Sequence, residues 1–379
     1  MSVTKVTNDN IVDISAETVS GTLPALNASA VLNMPTGESI IESANDPAFD
    51  SDLELGKMWL NTTNGEMFVC TDATPGLNVW KNIAAGSDHV EPPFQYAGTQ
   101  TAWIVGGHAS MSNVDNMETF SLTSDGNATM LSDVTMNNNY AATGTKSNTS
   151  GYILGGGWPI NSDIEKYSFE SGGDSTNVGT LNTGRYCIAG FSTGSHGYGV
   201  SGLLTSTGSG AVDKFSYSNE GSAVEVGNMP STGYAAGVTG PDNGYIYTGN
   251  GNSDIEKYTY ASDSSAVHST MYNTRHSQAC HSTSTHGYSS GGHTGSWVST
   301  IDKFSFANTS NAVHITDLAY DKCRCHGYSS ETHGYTSGGS SNQPGGPERL
   351  EKFSFASETT ATIIGSCINR DSWSSGTQF

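Results

Sequence analysis

The chain has 379 residues, 46 of them glycine, and a formal net charge of −21 from 15 basic and 36 acidic residues. Only 13% of its residues are charged, and the Ser, Thr and Asn that replace Lys and Glu suit short strands and turns more than helices. The acidity argues against nucleic acid as a partner, because neutralising phosphates requires Lys and Arg.

The first ten residues, MSVTKVTNDN, lack a basic cluster followed by an apolar run, and no stretch of 18 apolar residues follows. Neither a secretory signal nor a membrane is therefore expected to be involved. Residues 1–92 carry no repeat, and Glu91-Pro92-Pro93 punctuates their end. Within them, Gly56 to Asn61 and Glu66 to Cys70 flank Asn64-Gly65, a turn signal of the hairpin kind, and Val79-Trp80-Lys81 offers a third strand. So Gly/Thr/Ala-rich a strip buries too little to fold alone, and it is expected to order by trimerising or by docking on another protein.

From residue 93 the chain repeats. A short strand ending in Gly recurs at Gly107, Gly156, Gly202, Gly249, Gly292 and Gly339, with spacings of 49, 46, 47, 43 and 47 residues. After each comes an apolar-acidic-x-aromatic-hydroxyl-apolar hexamer: METFSL, IEKYSF, VDKFSY, IEKYTY, IDKFSF and LEKFSF, with the acids Glu118, Glu165, Asp213, Glu256, Asp302 and Glu351. Period-two alternation puts Ile164, Lys166 and Ser168 on one face and Glu165, Tyr167 and Phe169 on the other. One strand follows the hexamer and one precedes the next Gly, which makes four strands per unit.

Six four-stranded units predict an all-β, six-bladed propeller over 93–379, since radial closure removes the open edges that a linear stack would leave. The C-terminal residues 370–379 align with Arg185 to Gly194, the innermost strand of a unit, with no further unit after them. They are expected to complete the first blade and close the ring. The acid of each hexamer lies on a partly buried face and needs a partner; for Glu165 the basic residue Arg185, which opens the next unit, is the candidate.

The Gly pairs (Ile104-Val105-Gly106-Gly107, Ser290-Gly291-Gly292), the acidic-aromatic third strand and the basic opening residue (Arg185, Arg275, Lys322, Arg370) resemble the kelch repeat. The usual kelch Trp is missing from the fourth strand, which leaves packing to the hexamer aromatics and to Tyr152, Tyr198, Tyr245, Tyr288 and Tyr335. Two further stretches, Ser20 to Asn27 (SGTLPALN) and GKMWLNTTNGEMFVCTDATPGLNVWKNI, resemble N-terminal pieces of bacteriophage tail fibres and related virion appendages. That resemblance implies a virion structural protein, a tail fibre or appendage attached to other virion proteins through residues 1–92, plausible as a homotrimer. Its propeller would bind a host surface glycan or protein. A tail-associated glycan depolymerase, a capsid-decorating protein and a cellular kelch-type interaction module are the alternatives.

No catalytic, cofactor or metal site is expected. His196, His286 and His333 recur in register, but turn residues spread around a ring do not converge on a metal. Cys323-x-Cys325-His326 lacks the second half of a zinc site. Tyr186-Cys187 supplies the residue types of a copper radical oxidase, but neighbours on a strand point to opposite faces. The six cysteines do not recur at the repeat period and read as free thiols. Binding is expected on the least repetitive loops, at Trp158, Pro159, Leu203, Leu204, Trp297, Asn342 and Gln343, because rigid strands hold loops whose sequence can vary.

Overall fold

The computed structural model describes residues 40–51, 53–83, 97–109, 112–135, 140–157, 159–205, 207–230, 233–249, 251–342, 348–368 and 374–378. Among these residues all regular structure is β-strand. The chain divides into two compact units, Met1–Pro93 and Phe94–Phe379.

In the first unit, Met58–Asn61 and Met67–Asp72 pair antiparallel across the Asn64-Gly65 turn, where Gly65 takes φ +79°. Val79–Asn82 extends the sheet on one side, and Ile41–Ser43 adds a parallel strand on the other that the sequence did not announce. Its core is small: Phe68, Cys70 and Trp80 are buried, and the Trp59 ring meets Trp80 edge-on at 5.9 Å.

The second unit contains, among the described residues, six antiparallel sheets of four or five principal strands, plus a two-stranded ribbon of His108–Ala109 and Ser112–Asn113. One sheet shows the plan. Thr143–Lys146, Ser150–Leu154, Asp163–Ser168 and Thr176–Thr180 pair in sequence order, and the hexamer IEKYSF provides the third strand. The sheet that begins with Ala279–Ser282 gains a fifth strand, Ser340–Ser341, on the end of its long fourth strand Val313–Cys323.

The first sheet differs in chain order. Its innermost strand is Ser375–Gln378, which pairs with Thr101–Val105 in the register Ser375 to Val105 and Gln378 to Ala102. The six innermost strands are Ser375–Gln378, Thr143–Lys146, Ala189–Ser192, Ala236–Thr239, Ala279–Ser282 and His326–Ser329. Each lies beside the next in that order, and His326–Ser329 lies beside Ser375–Gln378.

Alternation along the hexamer sets Ile164 in a cluster with Leu154, Leu181 and Phe215, and Tyr167 and Phe169 in another with Trp103. In all six sheets the register with the fourth strand shifts between the apolar residue and the acid, as at Ile164/Glu165 and Leu350/Glu351. The extra residue of this β-bulge lies on the fourth strand, Val178 in the second sheet, while the hexamer pairs in unbroken register with the second strand; Ile164 and Glu165 are both buried because each face of the sheet is covered. Packing between sheets uses aromatics in a fixed pattern. A second-strand ring in one sheet meets the hexamer rings of the next: Trp103 on Tyr167 and Phe169, Tyr152 on Phe215 and Tyr217, Tyr245 on Phe304 and Phe306. The last, Tyr335, meets Phe120 of the first sheet, and its hydroxyl donates to the Leu122 carbonyl at 2.8 Å. Each ring pair adds about 0.5–1.5 kcal/mol beyond the area it buries.

Two sets of glycines allow this closeness. A Cβ on Gly197 would lie 2.4 Å from the Phe215 ring, which covers the glycine from the adjacent strand. On the innermost strands, a Cβ on Gly237 would lie 2.2 Å from the Gly190 carbonyl oxygen, and one on Gly327 would lie 2.1 Å from that of Cys280. Neighbouring sheets therefore meet backbone to backbone at their inner edges.

Candidate binding site

The six innermost strands surround a cavity of about 160 Å³, to which all six contribute lining residues. At the N-terminal ends of five of these strands stands a residue in the left-handed backbone region: Ala141 (φ +54°), Cys187 (+50°), Tyr234 (+64°), Ser277 (+57°) and Arg324 (+61°). None is glycine, so the conformation is imposed by its surroundings against a cost of about 1 kcal/mol or more each. Those surroundings are one another. The Cys187 amide donates to the Ala141 carbonyl (2.8 Å), Ser277 to Tyr234 (3.2 Å) and Arg324 to Ser277 (2.7 Å), which ties neighbouring units together at the mouth.

Buried ion pairs anchor this rim from behind. Arg185 lies 3.2 Å from Asp213, Arg275 2.8 Å from Asp302 and Lys322 2.7 Å from Glu351, each side chain at most 1% exposed. Each cation stands two residues before a left-handed rim residue and reaches the acid of its own sheet. The expected Glu165–Arg185 pair is thereby corrected by one unit: Glu165 instead accepts from the hydroxyls of Ser175 (2.5 Å) and Thr135 (2.6 Å). The carboxylates also take amides from the preceding unit, Asn182 to Asp213 (3.0 Å), Ala319 to Glu351 (2.6 Å) and Ile368 to Glu118 (2.9 Å). The acid thus joins two sheets and a loop in one place. Burial nevertheless holds the Asp213 and Asp302 carboxyls above the usual range, opposed by the neighbouring guanidinium.

Glu256 departs from the pattern. The position that would offer it an amide is Pro230, which has no N–H. Burial, and then the Asp254 charge, raise its pKa.

At the far end of the strands the fourth residues form a polar belt. The Lys146 amide donates to Ser192 Oγ (3.0 Å), the Ser192 amide to Thr239 Oγ1 (3.1 Å) and the Ser282 amide to Ser329 Oγ (2.9 Å). Lys146 Nζ donates to the Gln378 carbonyl at 2.9 Å, and complete burial lowers its pKa to about 7. His281 and His326 are pushed down to about 4 by burial and are neutral at physiological pH. His281 donates through Nδ1 to the Tyr328 carbonyl at 3.0 Å, and Nε2 then accepts from Ser290 Oγ at 2.8 Å.

The mouth is aromatic. Tyr140, Tyr186 and Tyr234 pack with Leu203 around Ala141 and Cys187, and His276 lies 5.3 Å from the Tyr234 ring and 5.1 Å from His293. Burial pushes the Tyr140 phenol up to about 12 and raises those of Tyr186 and Tyr234. Burial also raises the Cys187 thiol, which stays protonated and unreactive. The exposed Arg324 is close enough for its charge to oppose the shifts of Tyr140, Cys187 and Tyr234 and to depress His276. Gln278 also lines the cavity; it is 4% exposed, and neither its amide nitrogen nor its amide oxygen has a hydrogen-bond partner among the described residues.

Of the loop residues singled out in the sequence, Leu203 belongs to this mouth. It exchanges backbone bonds with Tyr186, 2.7 Å in one direction and 3.1 Å in the other. Leu204 is half-buried beside it, with its amide on the Thr207 carbonyl. Trp297 is half-buried and bridged to His293, while Pro159 and Asn342 are exposed. Trp158 and Gln343 lie outside the described side chains, as does Arg370. The repeat glycines Gly107, Gly156, Gly202, Gly292 and Gly339 share φ between +95° and +114°, whereas Gly249 takes +64° in a tighter hairpin to Asn252. Tyr140, Tyr234, Gln278 and Arg324 were missed by the sequence reading. The sign available was that Tyr234 and Arg324 occupy the place held by Ala141 and Cys187 in other units.

Among the described residues no three His, Cys, Asp or Glu side chains converge as a metal site, and no disulfide links the six cysteines. His196, His286 and His333 each begin a second strand and bond locally to Ser195, Thr285 and Thr332. No protein-family model matches the chain, and no curated protein matches it significantly.

Proposed function

We propose that the six sheets close into a six-bladed kelch-like β-propeller, and that the chain is a non-enzymatic virion structural protein, a tail fibre or appendage. In this reading residues 1–92 attach the chain to other virion proteins, as a homotrimer, and the propeller faces the host surface, where it binds a glycan or protein. The observation that carries the ring is the last strand, Ser375–Gln378, which completes the first sheet and lies between its two neighbours' inner strands. The aromatic contact from Tyr335 to Phe120 and the ion pair of Lys352 with Asp125, 2.5 Å, join the last unit to the first in the same way.

The virion role draws its support from the two tail-fibre-like stretches near the N-terminus. It agrees with a first unit whose described residues bury three apolar side chains in one cluster, few for independent stability. A binding role for the propeller is favoured by a mouth of half-buried aromatics and an exposed Arg324 on an ion-paired rim.

Negative-stain microscopy of purified particles, labelled with gold-conjugated antibody to residues 94–379, tests the assignment. Label on tails or fibres at a copy number divisible by three supports it, and label on the shell alone points to a capsid-decorating protein. Particles without label remove the virion reading, and reducing-sugar release from host polysaccharide by the purified chain removes the non-enzymatic one.

A further inference from the structure

The mouth of the cavity departs from the repeat at particular positions. Three units put Ala141, Cys187 and Ser277 at the left-handed rim position, so a small side chain is enough to make the backbone bonds between units. Tyr234 and Arg324 occupy the same position with large, half-buried or exposed side chains. One place further along each strand, the residues that line the cavity are Ala142, Ile188, Ala235, Cys325 and Ser374 in five units and Gln278 in the sixth. Those five demand at most one hydrogen bond each. Gln278 buries an amide whose donor and acceptor both lack a partner among the described residues, an arrangement that costs about 1–3 kcal/mol unless something else supplies the bonds.

Each of these departures suits one kind of ligand. Tyrosine faces stack on the C–H side of a pyranose ring while their hydroxyls stay wet, and Tyr140, Tyr186 and Tyr234 come from three consecutive units and pack on Ala141 and Cys187, which line the cavity together with Tyr234. An amide offers a donor and an acceptor together, which matches a sugar hydroxyl or an N-acetyl group. A guanidinium binds a carboxylate through two parallel N–H···O bonds, which a neutral sugar cannot supply. In a chain with a net charge of −21, a cation at the opening also sets a local field opposite to that of the surrounding surface.

We propose that this mouth is a saccharide site selective for an acidic sugar, with Arg324 taking the carboxylate, the tyrosines covering the ring and Gln278 completing its bonds with the sugar or the water it carries. The inference rests on reading the propeller as the host-binding part, and it names both the place and the chemistry of that binding.

Titration of the full chain with galacturonate and with galactose, followed by saturation-transfer NMR, tests it. Galacturonate is expected to saturate tyrosine-proximal signals and to bind at least about tenfold more tightly than galactose, the size of one charge-assisted bidentate contact. Arg324→Gln is expected to abolish that preference while the protein stays folded, because the backbone bond to Ser277 does not depend on the identity of the exposed side chain. Gln278→Leu is expected to weaken both sugars while raising the melting temperature, since it removes a buried amide. Equal binding of the two sugars, no binding of either, or an Arg324→Gln protein that still prefers galacturonate would overturn the proposal. Adsorption of the fluorescently labelled chain to host cells separates the two levels. Adsorption that is unchanged in Arg324→Gln overturns the sugar site and leaves host binding standing, whereas a wild-type chain that adsorbs to no host cells overturns host binding itself.

Discussion

Replacing Arg275 by Met tests whether the buried ion pairs hold the rim. The substitution keeps the aliphatic bulk and removes the guanidinium that sits 2.8 Å from Asp302 and donates to Ser289 Oγ at 2.6 Å. Asp302 is then left 0% exposed with no counter-charge at hydrogen-bonding distance; His314 Nδ1 stands 3.9 Å away. Breaking a buried pair on one side costs about 3–5 kcal/mol, because the remaining charge must stay buried or take up a proton. At roughly 2–4 °C per kcal/mol for a domain of this size, the melting temperature should fall on the order of 10 °C. The pH dependence has a definite sign. Burial already raises the Asp302 carboxyl, and Arg275 is the largest influence holding it down, so the variant raises it further. A folded-state pKa above the unfolded value means that the folded form binds the proton more tightly. The variant's stability is therefore greatest below the unfolded carboxylate pKa and declines as pH rises through the folded one. Thermal unfolding followed by circular dichroism from pH 4 to 8 should show the deficit shrinking towards pH 4, and Arg275→Met/Asp302→Asn should recover most of it at pH 7. A loss below about 0.5 kcal/mol, or a double variant no more stable than the single one, would show that the pair does not hold the rim.

Five other outcomes follow from the geometry. Gly237→Ala places a Cβ 2.2 Å from a backbone oxygen of the neighbouring sheet and should unfold the second unit or lower its melting temperature by more than 10 °C, roughly 4 kcal/mol or above. Gly126→Ala, with nothing within 4 Å, should change it by less than about 0.5 kcal/mol; the two can be read in one thermal scan. Deleting residues 374–379 removes the inner strand of the first sheet and the Tyr167–Thr377 hydroxyl bond of 2.6 Å. Size-exclusion chromatography should then show loss of the compact species, and a truncated chain that melts like the full one would contradict closure by this strand. Glu256→Gln should stabilise the protein at pH 7, with a gain that fades towards pH 4, because burial raises the carboxyl it replaces. Asp125→Ala, which breaks a rim ion pair whose side chains are 24% and 57% exposed, should cost no more than about 1 kcal/mol in urea unfolding.

The repeat was legible because each unit must solve the same packing problem with the same residues. The hexamer aromatics and the tyrosines at 152, 198, 245, 288 and 335 are buried as a set, and the Gly before four of these tyrosines is covered by the facing hexamer ring, with Phe191 covering Gly244 instead. The four-stranded plan and the pairing of a late strand with an early sheet follow from the same periodicity. The strand at Ile41–Ser43 was not legible, since three residues with one parallel neighbour carry no alternation to detect. The alternation of the hexamer was legible too, with Ile164 in one core cluster and Tyr167 and Phe169 in another, and the bulge that the sequence did not announce lies on the fourth strand. One reading needed correction. Arg185 serves Asp213, not Glu165, because a sequence spacing fixes which residue types recur but not which sheet a long side chain reaches.

Local periodicity, composition and turn chemistry are properties of the chain itself, so the sequence alone determined an all-β repeat protein with six equivalent units and a separate N-terminal segment. The mouth of the cavity was decided by tertiary structure. Tyr140, Tyr186, Tyr234, Gln278 and Arg324 are spread over 185 positions of the sequence, Tyr140 to Arg324 inclusive. They meet only because sheets packed side by side bring the same point of each unit to a common centre, where a residue that breaks the repeat is set against the neighbours that keep it.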